Sequence, residues 1–487
     1  MNARHALLAS ATVSLLLTGC PLTDHYTLMS DMGGASSAGA DDAGTGASGA
    51  SAKLGGASGM GAGNDAGGAS AAGAGAGEAG EAAQGGAPNG GSAGIQGTSG
   101  AGGACATNPQ SCAACSKACN AGRQCVDNTC QVGWVGMKLP PDTIVARSRA
   151  AHVAMGKSVF FWGGLNSAGK ALDDGAIYTP KTDTWVTLPK DMGSPSPRIM
   201  ATAVWTGSLV VVYGGTDAAG STVYKDGAIY DPAGNSWTAL PAPAANVTLG
   251  KRSAPYGFWD GMRVVFWGGL SATGTAGVPG ADRFDLTNWS VSPNGGDPGA
   301  LAYPATAFDG SVFYLQGGQL NGNRQDKVYS YTSATNSWAS LSKSINPRSS
   351  AFGAWDGTRF VVWGGRDDNI GLRNDGKSLS GGTWTALGTT GAPSARMLAF
   401  RRSGWSFSVK AGVIAILGGQ TSVAGSGTLA TGGATYDAIT SEWTTIADWP
   451  SGEAHEYGMG VWTGEEFVLW GGRDANMPTT VGERWAP

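Results

Sequence analysis

Charge is scarce in this chain. Charged residues make up 14 % of its 487 positions, and 31 Lys and Arg stand against 35 Asp and Glu, a formal net charge of −4. With so few cations and no basic run, nucleic acid is excluded as a partner. Histidine is scarcer still, with four residues in all. The last of the seven cysteines is Cys130, so 131–487 has none. Residues 33–103 lack Trp, Phe and Tyr and cannot build a core. No run of 18 apolar residues is present to cross a bilayer as a helix. A coiled coil, a polytopic membrane protein and a wholly disordered chain are excluded together. What is abundant is Gly, with 82 residues, and Trp, with 18. The tryptophan-rich, charge-poor part, 131–487, reads as a tightly packed β domain.

The N-terminus reads as an address. Arg4 and His5 precede a short apolar run, Ala6 to Leu17, and then Leu17-Thr18-Gly19-Cys20. This resembles a bacterial lipoprotein signal over 1–19 with its lipobox. The resemblance implies a lipidated Cys20 at the start of a mature N-terminus, 20–32. Two or three acyl chains hold a protein stably on a membrane where one does not. The expected location is the cell envelope, on the outer membrane or cell surface rather than the inner membrane. Residues 33–103, rich in Gly, Ala and Ser, form a disordered linker that spans roughly 45–50 Å as a flexible coil. In 104–131, Cys105, Cys112, Cys115, Cys119, Cys125 and Cys130 follow within 26 residues. In an exported chain an even, dense cluster reads as three disulfides, with fifteen pairings open. The competing reading is a metal site at Cys112-x-x-Cys115. The segment resembles, weakly, small EGF-like modules.

The rest is a repeat. Gly-Gly doublets begin at Gly163, Gly214, Gly268, Gly317, Gly364, Gly418 and Gly471, each after an apolar run such as Phe160-Phe161-Trp162. Seven residues before six of them stands another glycine, three times as Asp-Gly, which signals a tight hairpin. Downstream come Trp185, Trp237, Trp289, Trp338, Trp384 and Trp443, most with a Tyr seven residues earlier. Each unit therefore supplies four antiparallel strands, too few to bury two faces alone but sufficient when packed radially. The ends complement each other. The last unit stops at Trp485-Ala486-Pro487 without a fourth strand, while Trp134-Val135-Gly136-Met137-Lys138-Leu139-Pro140 matches Trp237-Thr238-Ala239-Leu240-Pro241. Residues 132–140 are expected to supply the missing outer strand, so that no radial edge is left open.

This pattern resembles the kelch repeat and the related central domain of galactose oxidase. The resemblance implies an all-β, seven-bladed propeller over 132–487. Sixteen residues before the doublets stand Arg147, Arg198, Arg252, Arg348 and His455, with Leu301 in the fourth unit and Arg396 as the equivalent in the sixth. Equivalent positions share a height and a radius, so these residues are expected to encircle one mouth of the channel. The resemblance marks that face as a common ligand surface, and guanidinium groups suit carboxylates or phosphates. The structural alternative is that each Arg pairs with a local acid such as Asp217, Asp367 or Asp474. Trp162, Tyr213, Trp267, Trp363 and Trp470 are expected between blades, and His152 as a packed strand residue.

Catalysis has little support. Copper radical chemistry of the galactose oxidase kind needs two His, Tyr ligands and a Tyr–Cys crosslink; 131–487 has only His152 and His455 and no Cys. No GxSxG, HExxH or phosphate loop occurs. The glycosylation-like Asn246-Val247-Thr248 and Asn288-Trp289-Ser290 carry little weight in a bacterial setting. The expected function is therefore an envelope binding protein without metal or cofactor, held to the membrane through Cys20 and meeting a protein or glycan ligand with acidic groups. The alternative is an envelope enzyme, a metal-free isomerase, lyase or hydrolase, acting on sugars or small acids in the channel. Radioactive palmitate should label the full chain in a bacterial host and fail to label Cys20→Ala; label retained in that variant would refute the anchor.

Overall fold

The computed structural model describes 124–126, 129–131 and 133–487, apart from 272–275, 294–295, 343–344, 369–370, 399–403, 423–427, 454 and 475–476. Cys20, the 33–103 linker and Cys105, Cys112, Cys115 and Cys119 lie outside the described residues. Among the described residues no helix is long and apolar enough to cross a membrane.

Each doublet unit forms one four-stranded antiparallel sheet, and there are seven. Blade 1 runs Ala151–Met155, Ser158–Trp162, Gly175–Thr179 and Thr184–Thr187. The first strands of blades 2 to 7 are Thr202–Trp205, Tyr256–Trp259, Ala305–Phe308, Phe352–Trp355, Gly404–Lys410 and Met459–Trp462. At six of the seven junctions the first strands of successive blades lie side by side, so they line the axis. The Asp-Gly hairpins form as their sequence predicts, with Gly261 at φ 91° and Gly357 at φ 96°. Two short ribbons that the repeat did not announce, Gln319–Leu320 with Asn323–Arg324 and Arg473–Asp474 with Met477–Pro478, project from the loops after strand two.

The core lies between blades, because successive strand residues point to opposite faces. On the second strand of blade 1, Val159 and Phe161 pack with Met459, Val461, Val468 and Trp470 of blade 7. Phe160 and Trp162 pack with Ala201, Val210, Val212, Tyr230 and Trp237 of blade 2. Every junction has such a cluster. Burying an aromatic or large aliphatic side chain contributes roughly 1.5–3 kcal/mol, so each junction is held by many such increments.

The repeated aromatic residues add directed bonds. The outer-strand Trp Nε1 donates to a carbonyl of the preceding blade: Trp185 to Lys138 at 2.8 Å, Trp237 to Pro189 at 3.1 Å and Trp289 to Pro241 at 2.9 Å. Trp384 donates to Ser342, Trp443 to Gly388 and Trp134 to Ala447, each at 2.8 Å. The third-strand tyrosines hold the outer turn. The hydroxyls of Tyr178, Tyr230 and Tyr331 donate to Asp183, Asn235 and Asn336 at 2.7–2.8 Å. Those three acceptors have φ of 46–52°, a region that Asn and Asp tolerate better than other side chains.

Blade 7 is built from both ends. Its order is Gly133–Gly136, Gly482–Ala486, Phe467–Trp470, Met459–Trp462, with Trp134 directly opposite Trp485. Arg484 reaches out of this blade and donates to the Pro180 carbonyl of blade 1 at 2.7 Å. Its other neighbour is the buried Glu466, at 3.5 Å. Burial pushes the Glu466 carboxyl up to about 7, against the pull of Arg484. The folded chain thus holds this proton more tightly than the unfolded chain, whose carboxyl titrates near 4.5. Stability is accordingly lost as pH rises from that range to about 7. Glu466→Gln should melt higher than the parent at pH 8 and lose this advantage at pH 4. An equal difference at both pH values would refute the assignment.

Candidate functional site: the channel mouth

The six residues expected to ring the mouth stand one per blade, just before the first strands, but their side chains are engaged inside the blades. Arg147 Nη1 donates to the carbonyl of Gly163 at 3.1 Å, to that of Asp174 at 3.0 Å and to Asp174 Oδ1 at 2.6 Å. Arg198 repeats this with Gly214 and Asp226. Arg348 repeats it with Gly364 and Asp375. Arg252 Nη1 donates to Gly268, while its Nε lies 2.6 Å from Asp282 Oδ2. Arg396 donates to Gly418 at 2.9 Å and Gly432 at 3.2 Å, which makes it the equivalent despite the longer spacing. In blade 7, His455 Nδ1 lies 2.6 Å from the Gly471 carbonyl and Nε2 lies 2.9 Å from Glu483 Oε2. None of the six is more than 6 % exposed.

The ring is therefore a set of clasps on the Gly-Gly doublets, not an open array of cations. The acids differ from those expected. Asp217 caps its own loop through Ser221 and Thr222, Asp367 holds Arg373, and Asp474 lies on a ribbon strand. The arginines pair instead with Asp174, Asp226, Asp282 and Asp375. Three of these precede a third-strand glycine as Asp-Gly, a repeated signal that the doublets overshadowed. Burial lowers the Arg147 and Arg348 pKa values, with Asp174 and Asp375 opposing. Burial alone would raise Asp375, but Arg373 and Arg348 hold it down at about 2.

The arginine backbone links the blades. The second doublet glycine donates to the Arg carbonyl of the next blade: Gly164 to Arg198, Gly215 to Arg252, Gly318 to Arg348, Gly365 to Arg396, and Gly472 round to Arg147, at 2.8–3.0 Å. Two residues further on, a second circle forms. Met200 donates to Arg149, Ala254 to Met200, Ser350 to Tyr303, Leu398 to Ser350 and Arg149 to Tyr457, all through backbone groups at 2.8–3.2 Å. Arg149, Met200, Ala254, Tyr303, Ser350 and Tyr457 have φ of 50–60°. Such non-glycine conformations cost roughly 1–3 kcal/mol each and persist because the circle of bonds determines them. Bonds between equivalent positions thus join neighbouring blades at five junctions. Met200, Ala254 and Tyr457, from blades 2, 3 and 7, share one buried cluster with Ile199. This mouth therefore carries a buried cluster to which three blades contribute.

The face at this mouth is uneven. The residues bridged to the strand entries are Leu165, Thr216 and Leu270 on blades 1–3, and Gln319, Arg366, Gln420 and Arg473 on blades 4–7. The Arg149 guanidinium carbon lies 4.2 Å from the centre of the Tyr457 ring, and that of Arg473 lies 5.0 Å from it. Arg473 also donates to Glu456 at 2.6 Å. Arg324 pairs with Asp368 and donates to Ser349 Oγ at 3.2 Å. The Nε atoms of Arg149 and Arg366 are buried without a hydrogen-bond partner. An unsatisfied guanidinium donor stacked on an aromatic ring, as at Arg149, suits an anionic group carried on an apolar or ring-shaped body. The sequence reading passed over these residues, although Gly-Gly-Arg at 364–366 and 471–473 marked two of them. Among the described residues no group of three or more His, Cys, Asp or Glu side chains is placed to hold a metal ion.

Neither a family model nor a curated protein matches the chain. The clasp makes its own prediction. Arg252 and Asp282 are both buried, so Arg252→Met leaves the carboxylate without its cation, held only by the Tyr213 hydroxyl and the Gly250 amide, and should cost about 3–5 kcal/mol in chemical denaturation. Adding Asp282→Asn should recover part of that loss; no recovery would show that the pair is not the source.

Proposed function

We propose that this chain is a lipid-anchored protein of a bacterial envelope whose kelch-type propeller serves as a binding module. A β-propeller presents many loops on a rigid ring, and the sequence places a long spacer between that ring and Cys20. The ligand is a protein or glycan bearing acidic groups, and it is met across the face that carries Arg149, Tyr457 and Arg473. The observation that carries this reading is the pair of buried, unpartnered Nε atoms of Arg149 and Arg366, on the face where Tyr457 is flanked by two arginines. The six clasp residues, including Arg198 and Arg348, support the site through the fold and do not contact the ligand.

The test uses the full mature chain against panels of acidic and neutral peptides and glycans. Binding should be confined to acidic members and fall at least tenfold in Arg149→Ala/Arg366→Ala, with the thermal melt unchanged. Equal binding by the double variant, or preference for neutral members, would overturn the reading.

A further inference from the structure

We propose that Cys125 and Cys130 form a disulfide that closes a small hairpin directly ahead of the strand that seals the propeller. The inference rests on the proposed export of the chain to an oxidising compartment. Strands Gln124–Val126 and Thr129–Gln131 pair antiparallel, with Gln124 opposite Gln131, Cys125 opposite Cys130 and Val126 opposite Thr129. Residues directly opposite each other share one face of the ribbon. Two residues, Asp127 and Asn128, separate the strands, and both are types that a two-residue turn favours. Directly opposed residues of an antiparallel pair have Cα atoms about 4.5–5.5 Å apart. A disulfide accepts Cα separations of roughly 4.4–6.8 Å.

The pairing reduces the fifteen arrangements of six cysteines to three, since Cys105, Cys112, Cys115 and Cys119 are left to pair among themselves. It also has a mechanical consequence. The hairpin ends at Gln131 and the ring-closing strand begins at Gly133. Any pull transmitted along the N-terminal chain reaches the closed hairpin before it reaches Trp134. The bond forms by thiol–disulfide exchange with an oxidoreductase of the compartment. The two thiols lose two protons and two electrons, one S–S bond forms, and the oxidoreductase disulfide is reduced to a dithiol.

Proteolytic mapping tests this without a variant. The full chain, exported under its own N-terminal signal, is denatured, its free thiols are alkylated without reduction, and it is digested with trypsin. Cleavage after Arg123 and Lys138 releases 124–138 with both cysteines in one peptide, whereas Cys119 lies in 118–123. The expected peptide is unalkylated, unlinked and two hydrogens lighter than its reduced form. Finding 124–138 joined to 118–123 or to the peptide holding Cys105, Cys112 and Cys115 would overturn the pairing while leaving export standing. Alkylation of all six cysteines without reduction would overturn both the pairing and the export reading.

Discussion

The buried clasp on the Gly-Gly doublets is the constraint from which the ring follows. In five blades the doublet carbonyl accepts from an arginine of its own blade, and at five junctions the doublet amide donates to the arginine carbonyl of the next. Both contacts need a backbone that turns sharply where another chain passes close by. Gly163 and Gly164 have φ of 72° and 100°, and a Cβ on them would stand 2.8 Å from the Arg198 carbonyl oxygen and 2.7 Å from that of Ser148. No side chain fits there. The arginine is equally constrained: it must reach two or three carbonyl oxygens while buried, and a planar guanidinium with five donors does this where an ammonium cannot.

The clasp also explains why this mouth cannot be read as a simple ring of charge. Groups that hold a fold in its interior are not available to a ligand, and the guanidinium groups at sixteen residues before the doublet are held in the interior. The circle two residues further on faces the mouth. Its left-handed residues are strained, and their side chains vary from Ala254 to Arg149 because backbone bonds, not side chains, maintain the circle. Variable side chains on an invariant backbone let one face carry an apolar half and a polar half.

Blade 7 departs from the pattern where the first and last strands of the propeller meet. Its clasp is His455, which faces a carbonyl and a carboxylate. Burial alone would raise the Glu483 carboxyl, but hydrogen bonds from His455 and Ser451 hold it below its ordinary value. Glu483 therefore contributes stability that is lost as pH falls through its lowered pKa. With Glu466 acting in the opposite sense, the blade that closes the ring holds two buried carboxyls whose pH effects on stability oppose each other. The other clasps rely on arginine, which stays charged throughout.

By itself the amino-acid sequence determined the number of blades, the hairpins, the aromatic layers and the shared seventh blade, because these arise from local turns and from a period that recurs seven times. Trp134 could be matched to Trp485 before any coordinates, since a missing strand at one end and a spare one at the other admit a single closure. The tertiary structure alone decided what the repeated polar residues do. Arg198 and Arg149 are both arginines at fixed offsets from a doublet, yet one is bound to carbonyl oxygens inside a blade and the other lies over Tyr457 at the mouth. Periodicity records that a position recurs. Whether its side chain turns inward depends on which carbonyl oxygens and carboxylates surround it, and those are brought there by segments distant in the chain.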